Sequence, residues 1–284
     1  MNPAMKALYG LKFNPFSTDL PVEALSIPPQ VEHFLWRAEH GLAHEGGFGL
    51  ISGEPGTGKS VALRLLADRL SRLREVTVGC LEHPQSHLPD FYREMGDLFG
   101  VSLQPHNRWA GFRALREKWT THIESTLLRP VLLVDEAQEM NPAVLCELRI
   151  LSSTRFDSRA ILTVILAGDQ RLTHILGREE LLPLGSRIRT RLALEAASGE
   201  ELRACLHHLM KAAGNPKLMT RELIEALCDH ALGNYRVLTT MANELLSAGA
   251  QREVEVLDEK LFLELFAVTR AARPTRRASA SAAR

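Results

Sequence analysis

No surplus of either charge marks the 284-residue chain, in which 34 Lys and Arg face 34 Asp and Glu. A protein that held a polyanion by its overall field would show an excess of bases, so any grip on nucleic acid must come from local patches or from assembly. Cysteine is scarce: Cys80, Cys146, Cys205 and Cys228 are scattered and form no C-x-x-C pair. That speaks against metal binding or thiol catalysis and suits reduced, buried thiols in a reducing compartment. No apolar run approaches the roughly 20 residues that span a membrane, and Met1–Gly10 lacks the apolar core of a signal peptide. A cytoplasmic protein with no membrane partner is expected. Trp36, Trp109 and Trp119 are not spaced as a base-stacking array, so core packing is their expected role. What remains, 45% hydrophobic and 24% charged residues, is ordinary globular composition for one large domain or two modest ones.

The opening 28 residues are punctuated by proline, which argues against a long helix; Tyr9, Phe13 and Phe16 are their apolar anchors. From Pro29 the apolar spacing turns helical. Phe48–Ser52 reads as a buried strand, Val61–Leu73 as the helix after it and Glu75–Cys80 as a second strand. Helices are expected at Leu88–Phe99 and Trp109–Leu127, then strands at Pro130–Val134 and Ile161–Gly168 around a helix at Pro142–Leu151. Alternating strands and helices imply a mainly parallel sheet in an α/β fold. After the segment 189–198 only helical patterns follow, at Gly199–Ala213, Arg221–Leu232, Val237–Gln251 and Asp258–Val268. The expected organisation is an arm (1–28), an α/β domain (29–197), a small helical domain (198–268) and a basic disordered tail (269–284) with five arginines and no acid.

Residues 53–60 read GEPGTGKS, fitting G-x-x-x-x-G-K-[ST] between a predicted strand and helix. Gly56 and Gly58 permit a backbone whose successive N–H groups point inward as an anion nest, and the next helix adds its positive N-terminus. The cofactor-binding set is Gly53, Glu54, Pro55, Gly56, Thr57, Gly58, Lys59, Ser60 and Val61. Lys59 supplies a point charge for β- and γ-phosphates, and the Ser60 hydroxyl suits Mg²⁺. One loop does not separate kinases from ATPases. VLLVDE (131–136) ends a buried strand in two acids: Asp135 would reach the Mg²⁺ shell, usually through water, and Glu136 would polarise the attacking water. The glutamate favours hydrolysis of a nucleoside triphosphate.

With both motifs placed, the chain resembles the AAA+ ATPases, and within them the ExeA-like branch that includes TnsC/TniB-type transposition ATPases and is related to IstB and MuB. YGLKFNPFS, GEPGTGKS, LLVDEAQEMNPAVLCELRILSS, ILAGDQRL, LGSRIRTRLAL and GNYRVLTTMANELL carry the resemblance over residues 8–266. It implies a P-loop AAA+ core with a helical lid, ATP and Mg²⁺ as cofactors, and further roles. Sensor 1 falls on Asp169, where the family has a neutral polar residue; an acid there is repelled by phosphate unless a cation offsets it, and Gln170 is the alternative. Arg187 matches the arginine finger that acts on a neighbouring subunit's site, with Arg189 and Arg191 as competitors. Arg236 matches sensor 2, a phosphate contact from the same chain. Phe13 and Phe16 border adenine or serve as plain hydrophobic anchors.

A finger acting in trans implies a homo-oligomeric ring or filament. The transposition reading adds double-stranded DNA and a transposase as partners. DNA contacts are expected at His106, Asn107, Arg108, Lys118 and Thr121, helped by the basic tail; a plain loop leading into a helix explains the same residues. Two alternatives accompany it: a secretion-associated ATPase of the ExeA type, ranked second because that class carries a membrane span and a wall-binding region beyond the ATPase, and a helicase-loader-like ATP switch. Metal binding by His83 and His87 is not expected, because Pro84 breaks a helix between them, and His207–His208 reads as a solvated helix face.

Overall fold

The protein is described by a computed structural model over residues 3–102 and 107–271. Its packing divides it into two units, Leu25–Ala196 and, joined across the sequence, the segment ending at Ala24 with the segment starting at Ala197.

The Leu25–Ala196 unit is built on a five-stranded sheet. Its strands are β1 (Gly47–Gly53), β2 (Val78–Leu81), β3 (Val131–Val134), β6 (Thr163–Gly168) and β7 (Ile188–Leu194), in the order β2-β3-β6-β1-β7. Every pairing is parallel. The apolar runs VLLV and TVILAG are buried at every position, as strands covered on both faces must be. β7 alternates buried and exposed residues, as a sheet edge does. Helices Lys59–Ser71, Leu88–Phe99, Arg108–Thr126 and Pro142–Leu151 supply the crossovers. One core, including Phe48, Leu50, Phe91, Met95, Trp119, Leu132, Val164 and Leu166, fills the space between sheet and helices. Between Pro142–Leu151 and β6 lies a small antiparallel hairpin of β4 (Ser153–Thr154) and β5 (Arg159–Ala160). Its tip holds Arg155, Phe156 and Asp157 at positive φ, and Phe156 is fully exposed.

The other unit packs the helices Gly199–Ala213, Arg221–Ala231, Tyr235–Gln251 and Glu259–Ala271 around a second core. Ser198 opens it with a reciprocal capping box to Glu201, and Thr220 and Asn234 cap the next two helices. Residues of the N-terminal segment complete this core: Tyr9, Leu11 and Phe16 are buried in it, with Phe13 packed alongside. Three hydrogen bonds pin the segment there: Lys12 N–H to the Ala213 carbonyl (2.8 Å), Asn215 Nδ2 to the Tyr9 carbonyl (3.0 Å) and Asn14 Nδ2 to Asn243 Oδ1 (2.7 Å). Phe16 is therefore a hydrophobic anchor of the helical unit. The short helix Pro3–Tyr9 is all the helix that the proline-rich opening forms before a single 3-10 turn at Val22–Ala24.

Two expectations about side-chain burial are corrected. Trp36 and Trp109 lie exposed, leaving Trp119 as the one tryptophan in the core. Trp36 stacks instead on His40, one turn along, and Trp109 on Phe112. Of the four thiols, Cys228 is buried and Cys80 is exposed, and all four are free. Among the described residues no helix is long and apolar enough to cross a membrane, and no group of His, Cys, Asp and Glu is arranged to hold a metal ion.

Candidate active site

Three adjacent parallel strands end at one edge of the sheet, and each is followed by chemistry-bearing residues. Ser52 of β1 is level with Gly168 of β6, and Val134 of β3 with Leu166 of the same strand. Strands in such a sheet lie about 4.8 Å apart, so register alone brings Gly53, Asp135 and Asp169 to one crevice. The carboxyl ends of parallel strands are where α/β sheets bind ligands.

After β1, Gly56 (φ 87°) and Gly58 (φ 103°) take backbone conformations closed to most residues. Gly58 is the N-cap of the helix that begins at Lys59. Thr57 donates its hydroxyl to the Glu54 carbonyl at 2.8 Å and fixes the turn. Glu54 and Pro55 are exposed on the outer face of the loop, and Val61 is half-buried in the first turn of the helix. Lys59 is 6% exposed, and its ammonium donates to the Gly53 and Glu54 carbonyls at 2.9 and 3.1 Å. A buried cation, a helix N-terminus and a left-handed glycine pair thus face the same volume, a positive pocket shaped for anionic oxygen.

After β3, Asp135 is half-buried and one of its oxygens accepts the Glu136 N–H at 2.9 Å. Glu136 is exposed, with φ of 49°, a strained conformation for a glutamate of a kind that clusters at functional sites and costs about 1–3 kcal/mol. Two residues on, Gln138 is buried and donates its amide Nε2 to Glu136 Oε2. The hydroxyl of Ser60 and the carboxylate of Asp135 are hard oxygen donors, which fits Mg²⁺ held with several of its own waters.

After β6, Asp169 caps the helix Gln170–Leu176 by accepting the Arg171 N–H at 2.8 Å. The Arg171 guanidinium then grips the same carboxylate, at 2.9 Å from both Nε and its terminal nitrogen, and reaches Glu139 at 2.9 Å. Arg171, and behind it the field of Lys59, hold the Asp169 carboxyl below the usual carboxylate range. The cation that an acid at this position requires is therefore built in, two residues along the chain.

The three arginines considered for the finger differ in their partners. Arg187 is ion-paired to Asp157 at the hairpin tip and also donates to the Pro183 carbonyl. Asp157 is gathered further by the Ser153 hydroxyl and by Arg149 at 3.7 Å, and Ser153 and then Arg187 lower its pKa. Arg189 pairs with Glu45 at 3.1 Å, and Arg191 donates to the Gly185 carbonyl at 3.3 Å. Arg236 belongs to the helical unit, in the first turn of Tyr235–Gln251, where its N–H is capped by Asn234 at 3.0 Å.

Of the residues expected to touch DNA, His106 lies outside the described residues, as does the tail from residue 272. Asn107 is the N-cap of Arg108–Thr126, accepting from the Ala110 N–H at 2.9 Å. Arg108 is ion-paired to the buried Glu147. Lys118 and Thr121, three residues apart on that helix, are exposed. Gln138, Arg171 and Asp157 are the site residues that sequence reasoning passed over. An amide two residues beyond the glutamate and an arginine two beyond the aspartate were the available signals.

Residues 42–176 match a protein-family model described as AAA domain. General secretion pathway protein A of Aeromonas hydrophila is 30% identical over 242 residues, which cover 79% of this chain and 43% of that protein. The chain thus spans less than half the length of this relative. Among solved structures, Cdc6p from Pyrobaculum aerophilum aligns with a TM-score of 0.68 at 14% identity, over 86% of this chain and 67% of that one. The ADP form of the Aeropyrum pernix ORC2 protein aligns at 0.67 and 16% identity, over 89% of this chain and 72% of that one. At such identities the structural likenesses establish the fold alone, the P-loop AAA+ sheet flanked by helices.

Proposed function

We propose that this chain, an AAA-type ATPase with the P-loop AAA+ fold, binds ATP on residues 53–61 and hydrolyses it to ADP and phosphate. The observation that carries the reading is the convergence at one sheet edge of buried Lys59, the Asp135–Glu136 pair and the Arg171-neutralised Asp169. The loop amides and Lys59 take the β- and γ-phosphates and stabilise the charge that develops on phosphoryl transfer. Glu136 accepts the proton of the attacking water. Asp169 orients that water, its negative charge offset by Arg171. Ser60 and Asp135 hold Mg²⁺, whose chemistry when bound is to neutralise phosphate charge. Arg187 of a neighbouring copy completes the pocket as finger, which makes hydrolysis depend on self-assembly, and Arg236 is assigned a phosphate contact on the resemblance alone.

The cycle, in this proposal, regulates DNA transposition in the cytoplasm: copies assemble on double-stranded DNA and recruit or activate a transposase. The ordered motif suite supports it, as do the exposed Trp109, Arg113, Lys118 and Thr121 distributed around Arg108–Thr126, where the exposed acids Glu117 and Glu124 also lie. A second reading, a secretion-associated ATPase, is favoured by the 30% identity to the Aeromonas protein over 79% of this chain. Electron microscopy of the purified chain with duplex DNA, with and without ATP and Mg²⁺, separates them. Nucleotide-dependent, salt-sensitive assemblies that coat DNA support the first; assembly indifferent to DNA supports the second. Full-rate hydrolysis by dilute monomers, or unchanged nucleotide affinity in Lys59→Ala, would defeat the shared ATPase mechanism.

A further inference from the structure

Gln138 is 7% exposed and uses its amide at both ends. Nε2 donates to Oε2 of Glu136, and Oε1 accepts the backbone N–H of Asp169 at 3.2 Å. One buried side chain thus joins the acid after β3 to the first residue beyond β6. Glu136 itself is exposed, on a backbone of positive φ. A long, solvated side chain in that setting samples several rotamers unless something holds it.

Gly168 shows that the space for this amide is specified. A Cβ there would fall 2.5 Å from Gln138 Oε1, with Leu172 Cδ2 at 2.9 Å. Its φ is outside the left-handed region, so the missing side chain answers a need for room and not for backbone freedom. Glycine at the end of β6 and glutamine after β3 are complementary parts of one contact.

We infer that Gln138 is a positioning residue for hydrolysis: it fixes the Glu136 carboxylate against the end of β6, so that the base and Asp169 move together. The inference rests on the proposed role of Glu136 as base. A buried plug that only satisfied the Asp169 N–H would need the acceptor end of the amide and no donor. The donation to Glu136 is what distinguishes the two roles.

The test uses the full chain and measures kcat with saturating Mg·ATP, the affinity for a fluorescent ADP, and the melting temperature. Gln138→Glu keeps the shape and the acceptor for Asp169 and, once ionised, loses the donor to Glu136. Its kcat is therefore compared with the parent's up to about pH 9, above the range to which burial beside another carboxylate lifts such an acid. Gly168→Ala removes no functional group but displaces the amide. Each is expected to lower kcat about tenfold or more, since misplacing a reacting group can cost roughly 10²-fold, while ADP affinity stays within about twofold. The double variant is expected to be no slower than the slower single, because both changes break the same contact. Normal kcat in a folded Gln138→Glu, or losses that multiply in the double variant, overturn the inference. Glu136→Gln distinguishes the two levels. If it turns over normally, the base assignment is wrong; if it is inactive while Gln138→Glu is normal, only the positioning role is wrong.

Discussion

Replacing Arg108 by alanine decides whether that residue serves the fold or a ligand. Its Nε donates to Glu147 Oε1 at 3.0 Å, a terminal nitrogen donates to Oε2, and the Tyr92 hydroxyl donates to Oε1 at 2.5 Å. The Glu147 side chain is 3% exposed, whereas that of Arg108 is 61% exposed. Removing one partner of a fully buried pair costs about 3–5 kcal/mol, and an exposed pair is worth at most about 1 kcal/mol. With one end buried and the other wet, the expected loss lies between, at about 2 kcal/mol. For a unit of this size that lowers the melting temperature by roughly 4–8 °C. The assay is urea or thermal unfolding of Arg108→Ala, Glu147→Gln and the pair. In the Glu147→Gln background, where no buried carboxylate remains to be stranded, Arg108→Ala is expected to cost less than about 0.5 kcal/mol. An Arg108→Ala protein that is fully stable yet fails to bind duplex DNA would refute this reasoning and return Arg108 to an interface.

Arg187→Ala is expected to abolish turnover while keeping nucleotide binding, measured by phosphate release and fluorescent-nucleotide titration; normal turnover would transfer the finger to Arg189 or Arg191. Arg171→Ala leaves Asp169 without its cation, so ATP affinity is expected to fall severalfold, and Asp169→Asn in the same background should restore it; no recovery would show that charge is not the reason for the pairing. Burial pushes the Cys205 and Cys228 thiols up to about 11. Because both values are raised on folding, the associated stability is complete below the unfolded thiol range and is lost as pH rises towards 11. Iodoacetamide at pH 8 should therefore reach the buried Cys228 only on unfolding, and its rapid labelling in the native protein would contradict that burial.

Much of the α/β unit was legible because its signals are local. Continuous apolar runs bounded by acids or glycine gave β3 and β6, and helical spacing gave Leu88–Phe99 and Pro142–Leu151 with their observed limits. β7 is harder to see in the sequence although Ile188, Thr190, Leu192 and Leu194 alternate correctly; the charged Arg189 and Arg191 between them mark an edge strand and look like a loop. The hairpin β4–β5 escaped because two-residue strands leave no periodicity, and its turn uses three non-glycine residues at positive φ where glycine would have been the signal. In the site, the phosphate loop and acidic pair were visible as fixed spacings. Gln138, Arg171 and Asp157 were not, since their importance lies in which distant or folded-back atom each one meets.

The way the helical core recruits Tyr9, Leu11 and Phe16 has a consequence for synthesis. These side chains are made before the Leu25–Ala196 unit but find their cover only when the helices that follow it have been made. The intervening Leu25–Ala196 stretch holds its own sheet and core and can close while they wait in water. Chain entropy favours that order, because the long loop is shortened before its ends must meet. A nascent chain stalled near Ala196 would therefore leave these apolar side chains exposed after the α/β unit has closed, an exposure that the four helices from Gly199 onward end.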